Sequence, residues 1–228
     1  MIVREIIQQV FCLQSMFGSG TGFTVRVDGR QYLVTARHVL DGEGEASIPQ
    51  RATIEFFHAG HWRTVPYELV CSTADPEDIA VLALPQLLAN FPDIELGTKG
   101  LVYGQEVYFL GFPFGWQGDG AVNNEYPLPY VKRAIVSMLD FPPSPMLVLD
   151  GINNVGFSGG PVAFKNQTGH WQIAAVVSGF NSVREAVFEG RTNIPASYTV
   201  EQNTGLIDAT PLDSVLDLIR ANPIGAKF

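Results

Sequence analysis

Three short stretches carry residues that could do chemistry together. GFSGGP at residues 156–161 sets Ser158 among glycines, VTARHV sets His38 at the end of an apolar run, and EDIAVLAL sets Asp78 at the head of another. A serine hydroxyl is a poor nucleophile alone and needs a base beside it. Histidine can be that base near neutral pH, and a carboxylate can fix its tautomer. Glycines around the serine allow close approach and let bare backbone N–H groups face a developing oxyanion. Each residue is commonplace alone: a histidine near a strand end usually packs, an aspartate before a strand usually turns the chain, and Ser-Gly-Gly usually makes a flexible loop. The order His, Asp, Ser, with successive separations of 40 and 80 residues, is what points to acyl transfer.

These residues must be brought together by the elements around them, and strand-like segments recur along the whole chain. GFTVRVDG alternates apolar and polar residues and closes on a turn at Asp28-Gly29. QYLVTARHVL runs from a strand into a helical turn, and RATIEFF, TVPYELV and DIAVLAL follow. A second set begins near residue 100 with QEVYFLGF, VKRAIVSML, PMLVLDG, GPVAF, QIAAVVSGF and GLIDA. The 23 glycines and 15 prolines are spread out, as expected of many short strands joined by turns. No internal repeat is visible, yet the two runs fit two similar lobes with a boundary near residues 92–101. Residues 113–130 make a long, aromatic, Gly/Pro-rich stretch without a strand pattern, the kind of loop that is functional or mobile. Only the end of the chain reads as helix. Thr210 is the expected cap, Pro211 the first position, and Asp213 a favourable charge at the positive end. Leu212, Val215, Leu216 and Ile219 form one apolar stripe, expected to pack on the strands.

The 228 residues suffice for one domain or a two-lobed unit with a full core. With 46% hydrophobic and 16% charged residues, the chain is neither disordered nor a coiled coil. A net charge of −9 opposes binding to nucleic acid. Cys12 and Cys71 are far apart in sequence and are expected to be free thiols, whereas secreted domains are often stapled by several bridges. Arg4, Glu5, Gln8 and Gln9 interrupt any apolar leader after Met1, and no apolar run approaches the ~20 residues that span a bilayer. The expectation is a cytoplasmic protein with no membrane partner. His58 and His61 have no cysteine or carboxylate at metal spacing and read as surface residues of a hairpin. No phosphate-cradling loop or dinucleotide fingerprint occurs, so no metal or cofactor is expected. GFSGG also fits the G-x-S-x-G elbow, but that elbow needs a strand–turn–helix context and the order Ser, acid, His. Here Ser158 precedes Gly-Gly-Pro and a further strand, and only His170 lies downstream.

The contexts resemble the trypsin-like peptidase superfamily over almost the whole chain, and within it the bacterial branch related to the HtrA (Deg) proteases. GSGTGFTV and YLVTARHV resemble its glycine-led strand and the strand ending in its histidine. PEDIAVLAL resembles its aspartate strand, and VYFLGFPFG with AIVS the opening of its second barrel. LDGINNVGFSGGPV resembles its oxyanion loop and nucleophile, and GLIDATPLDSVLDLI its closing strand and terminal helix. No PDZ-like segment follows, so the resemblance is to the protease domain alone. It implies an all-β fold of two antiparallel six-stranded barrels with a C-terminal helix. The single peptidase domain would span 1–228, with the first barrel over about 1–97, the second over about 98–209 and the helix over about 211–221.

The resemblance further implies a serine endopeptidase acting on peptides or proteins through a triad of His38, Asp78 and Ser158. The backbone N–H groups of Gly156 and Ser158 would form the oxyanion hole, and Ser178 in VVSGF would help hold the aspartate. Phe157 departs from the pattern. In activated zymogens an aspartate at that place pairs with a freed N-terminal amine, which phenylalanine cannot do. A catalytically weak or inactive trypsin-like fold acting as a peptide-binding or scaffold module is therefore the alternative. Ile152, Asn153 and Val155, with Phe180 on the facing strand, correspond to the side-chain pocket of the resembled fold. Ile152 falls where tryptic enzymes carry a carboxylate, and Asp150 is expected to point away. Cleavage after small or medium apolar residues is the implied preference.

Overall fold

A computed structural model describes residues 2–42, 47–73, 77–88, 92–141, 146–191 and 195–228. A short helix, α1 (Arg4–Ile7), leads into β1 (Val10–Ser15), β2 (Gly18–Val27) and β3 (Arg30–Ala36). After the single turn α2 (His38–Asp41) come β4 (Arg51–His58), β5 (His61–Ser72) and β6 (Ile79–Ala83). These six strands pair antiparallel in the order β3-β2-β1-β4-β5-β6, and pairing of β3 with β6 closes the ring. Two of its hairpins turn on Asp28-Gly29 and Ala59-Gly60, with φ of 49° and 72° in the first and 51° and 80° in the second. Positive φ at both central residues is the tight-turn geometry that matches the twist of flanking strands.

The second ring follows β7 (Glu95–Leu96) and contains β8 (Glu106–Gly111), β9 (Tyr130–Phe141), β10 (Met146–Asp150), β11 (Pro161–Lys165), β12 (Trp171–Phe188) and β13 (Pro195–Pro211). Its order is β11-β8-β9-β10-β13-β12, closed by β11 pairing with β12. The protein is thus all-β, two six-stranded antiparallel barrels followed by a C-terminal helix, α3 (Asp213–Ala221). At the boundary expected near 97/98, β7 already adds to β12 of the second barrel. At the end of the chain, β14 (Ala226–Lys227) returns to pair with β3 of the first.

Each barrel has its own apolar filling. Phe11, Leu13, Leu33, Ile54, Phe56 and Leu82 pack inside the first. Val107, Phe109, Leu147, Leu149, Phe157 and Ile207 pack inside the second. A third cluster joins the two, with Phe23 and Val34 meeting Phe112 and Val176, and α3 contributing Val215 and Ile219. Fully burying such side chains stabilises by about 1.5–3 kcal/mol each, so the seam between barrels is a rigid platform. The expected helix stripe is therefore present, but its cap is not. Thr210 lies within β13 with its hydroxyl buried, and Leu212 stands at the helix cap without a side-chain cap bond. Asp213 instead accepts a hydrogen bond from Thr98 N–H at 2.8 Å, tying the helix start to the chain between the barrels.

The 113–130 stretch is an ordered strap. It opens with a 3₁₀ turn at Pro113–Gly115 and then reaches the first barrel. There the Tyr126 ring meets Phe11 and His58 edge-on at 4.9 and 4.5 Å. His58 and His61 face each other across the β4–β5 hairpin, and no cluster of metal-ligating side chains occurs among the described residues. Cys12 and Cys71 are both free thiols. No helix among the described residues is long and apolar enough to cross a membrane.

Candidate active site

The register of β3 against β6 assembles the first half of the site. Ala36 pairs with Ile79, so the residues just beyond each strand end, His38 and Asp78, become neighbours. Asp78 adopts φ +35°, a left-handed conformation that aspartate tolerates better than most residues, and its carbonyl accepts Arg37 N–H at 3.2 Å. Its carboxylate then grips His38 twice. Oδ1 accepts the His38 backbone N–H at 2.9 Å, and Oδ2 lies 2.6 Å from Nδ1 of the ring. A carboxylate on Nδ1 selects the tautomer that carries its proton there, so that Nε2 presents a lone pair.

Ser158 arrives from the second barrel on a turn pressed against the first. Gly159, at φ +84°, lies so close that a Cβ there would stand 2.0 Å from the Thr21 carbonyl oxygen and 2.8 Å from Ala36 N. Only glycine fits both that space and that dihedral. The turn is thereby seated on β2 and on the end of β3, two residues before His38. Thr21 N–H donates to the Ser158 carbonyl at 2.9 Å and completes the seat.

The loop before Ser158 has one consistent property: every carbonyl from Ile152 to Ser158 receives a hydrogen bond. Lys132 Nζ donates to Ile152 and Asn203 Nδ2 to Asn153. Backbone N–H groups of Phe157 and Phe114 donate to Asn154 and Val155 at 3.3 and 2.8 Å. The Thr21 hydroxyl donates to Gly156 at 2.7 Å, Gly160 N–H to Phe157 at 2.8 Å, and Thr21 N–H to Ser158. In a trans peptide the N–H points opposite to the carbonyl. With the Val155 carbonyl drawn to Phe114, the Gly156 N–H turns the other way. The N–H groups of Gly156 and Ser158 donate to no protein acceptor among the described residues. Phe157 is fully buried, its ring 4.9 Å from that of Phe109 at 66°, so it anchors the loop in the second barrel.

A family model of the trypsin-like peptidase domain matches residues 20–171, more than half of the chain. The chain belongs to the trypsin-like peptidase family. Solved structures share the fold at low identity. The HtrA-type protease AlgW, solved with a tripeptide, is 20% identical with a TM-score of 0.59, over 95% of this chain and 60% of that one. The apo protease domain of MamO from Magnetospirillum magneticum is 16% identical with a TM-score of 0.55, over 95% of this chain and 98% of that one. No curated protein matches the sequence.

In this member of the trypsin-like peptidase family, the Ser178 hydroxyl meets Thr210 and not the Asp78 carboxylate. Its oxygen lies 2.9 Å from that of the Thr210 hydroxyl, which donates in turn to the carbonyl of Glu77, next to Asp78 in the chain. Thr210 has one proton to give, so Ser178 donates to Thr210, and support for the aspartate runs through its backbone. The expected pocket residues differ among themselves in burial. Ile152 and Val155 are 54% and 63% exposed, Phe180 is half-buried, and Asn153 is 1% exposed. Asn153 turns inward because its amide bridges the loop to β12: Nδ2 donates to the Gly179 carbonyl at 3.2 Å and Oδ1 accepts Asn154 N–H at 2.8 Å. Asp150 is exposed. Sequence reasoning missed Thr21, Lys132, Asn203 and the role of Thr210. The one available signal was Thr21 between two glycines in GSGTGF, a small polar residue where the backbone is laid bare.

Proposed function

We propose that the chain is a serine endopeptidase in which Ser158 is the nucleophile, His38 the general base and Asp78 the group that orients it. His38 Nε2 would take the proton from Ser158 as the hydroxyl attacks a peptide carbonyl, and Asp78 would stabilise the imidazolium that forms. The tetrahedral oxyanion would be held by the N–H groups of Gly156 and Ser158. Collapse of that intermediate, with His38 giving its proton to the leaving amine, yields an acyl-enzyme that water then cleaves.

One observation carries this reading over that of an inert peptide-binding fold. All seven carbonyls from Ile152 to Ser158 are bonded elsewhere, while the two N–H groups required by the oxyanion donate to no acceptor among the described residues. A burial-anchored Phe157 does the work that a charge pair does in activated zymogens, so it is no reason to expect an idle loop. The test is labelling with a fluorophosphonate probe. Stoichiometric labelling of the wild type that vanishes in Ser158→Ala is expected; a wild type that stays unlabelled refutes the reading.

For specificity, the segment 151–157 holds no carboxylate, and the buried Asn153 has its amide engaged on both sides. A lysine or arginine side chain there would lose hydration without gaining a counter-charge. Cleavage after Val, Ala, Leu or Ile is expected when a mixed peptide library is profiled, and a dominant preference for basic residues would overturn this part.

A further inference from the structure

An inward-facing lysine in a barrel strand is unusual. On β9 the residues Lys132, Ala134 and Val136 alternate onto the inner face, and the latter two are buried in the core of the second barrel. Lys132 stands directly opposite Phe109 of β8. Its ammonium lies 5.9 Å from the centre of the Phe109 ring and 5.7 Å from that of Phe157. Burial pushes its pKa below the ordinary lysine value. Taking an ammonium out of water is costly unless its protons find acceptors. Among the described residues it makes no ion pair with a carboxylate. Its partners are instead two neutral oxygens of one loop, the carbonyl of Ile152 and, at 3.0 Å, the side-chain Oδ1 of Asn154.

Those two partners are the hinge of the loop that leads to Ser158. Asn154 offers its carbonyl to Phe157 N–H, closing the turn that contains Val155 and Gly156. A donor that fixes Asn154 therefore fixes the plane of the peptide that follows. Without it, the Val155–Gly156 peptide keeps only the Phe114 bond against rotation. Rotation would swing a carbonyl to the side on which the Gly156 N–H now opens.

We propose that Lys132 is a positioning residue for the oxyanion loop: its ammonium, set at the mouth of the second barrel over Phe109 and Phe157, holds Ile152 and Asn154 so that the Gly156 and Ser158 N–H groups stay open to a substrate oxyanion. This inference rests on the peptidase reading above. Lys132 and Phe157 together order the loop from within the barrel, one by hydrogen bonds and one by burial, so ordering needs no free N-terminal amine.

The test compares the wild type with Lys132→Met, which keeps the length and apolar stem and removes the donor. Fluorophosphonate labelling is measured at several probe concentrations. The maximal labelling rate is expected to fall about tenfold or more, in the direction of losing an oxyanion donor, while the half-saturating probe concentration stays within twofold. Hydrogen exchange of the Asn154 and Phe157 amides is expected to quicken at the same time, with exchange in β8 and β9 unchanged. In Lys132→Ala, added ethylammonium is expected to restore part of the rate and the neutral propanamide none of it. A folded Lys132→Met with wild-type labelling rate and unchanged exchange at Asn154 and Phe157 overturns the proposal and leaves the peptidase reading standing. An unlabelled wild type overturns the peptidase reading instead, and the exchange data then still decide whether Lys132 orders the loop.

Discussion

Replacing Thr21 with valine isolates one hydroxyl at the meeting of the two barrels. Thr21 is fully buried, and all three of its polar groups are in use. Its hydroxyl donates to the Gly156 carbonyl at 2.7 Å and accepts Phe112 N–H at 3.2 Å, its carbonyl accepts the Thr35 hydroxyl at 2.7 Å, and its N–H donates to Ser158. Valine has nearly the same shape, so no cavity opens and the two backbone contacts of residue 21 persist. What is lost is the partner of two buried groups, the Gly156 C=O and the Phe112 N–H. A buried group left without its hydrogen bond costs about 1–3 kcal/mol, so the two together make Thr21→Val less stable by about 2–6 kcal/mol. With an m-value of about 2 kcal/mol per M, the midpoint of urea unfolding moves down by about 1–3 M. Thr21→Ser keeps the hydroxyl and loses one methyl, a change worth about 0.5–1.5 kcal/mol. The decisive readout is the pairing of stability with fluorophosphonate labelling. Thr21→Val should label at least tenfold more slowly when folded, because the Gly156–Phe157 peptide, which links the Gly156 N–H to Ser158, is no longer held at its carbonyl, and Thr21→Ser should label at close to the wild-type rate. A Thr21→Val protein within 0.5 kcal/mol of the wild type and labelled as fast would refute the claim that this hydroxyl orients the loop.

Two further outcomes are expected. His38→Ala and Ser158→Ala each abolish nearly all peptidase turnover without shifting the thermal midpoint by more than a few degrees, and the double variant is little worse than either alone, because residues of one relay act as a unit; additive losses in a peptide-hydrolysis assay would speak against a shared step. The thiols should be inert in the native state. Burial pushes Cys12 up to about 12 and Cys71 up to about 11. At pH 8 this leaves roughly one Cys71 in a thousand as thiolate and fewer for Cys12, against about a quarter for an ordinary cysteine. Iodoacetamide followed by mass spectrometry should therefore modify neither at a rate within a hundredfold of the unfolded chain, and rapid native labelling of Cys71 would show that β5 opens.

The strands, the terminal helix and the short motifs that carry the candidate residues were legible because their signals are local. Alternation marks β2, an unbroken apolar run marks β6, and GFSGGP is a short contiguous motif; the fit of Gly159 against Thr21 and Ala36 gives the tertiary reason for one of its glycines. The order of His38, Asp78 and Ser158 carried the family because each lies just past a strand end or inside a tight turn. Thr210 shows where such reasoning stops. Thr-Pro-Leu-Asp has the local chemistry of a helix start, yet the hydroxyl is taken by Glu77, 133 residues away, and a bond across that distance outweighs a local preference. The same holds for the loop before Ser158. Its direction is set by Thr21, Lys132 and Asn203, which reach it from separations of 135, 20 and 50 residues. Residues 151–157 follow neither a helical nor a strand period, so nothing in their order tells which side chain turns inward. Ile152 is the more apolar and Asn153 is the one buried, because only the closed barrel supplies the Gly179 carbonyl that satisfies an amide there. The sequence by itself determined the strands and the terminal helix, and it named His38, Asp78 and Ser158 as the candidates they carry. Only the tertiary structure decided how the loop beside them is held, since the donors that hold it belong to strands that meet it across the folded barrels and nowhere along the chain.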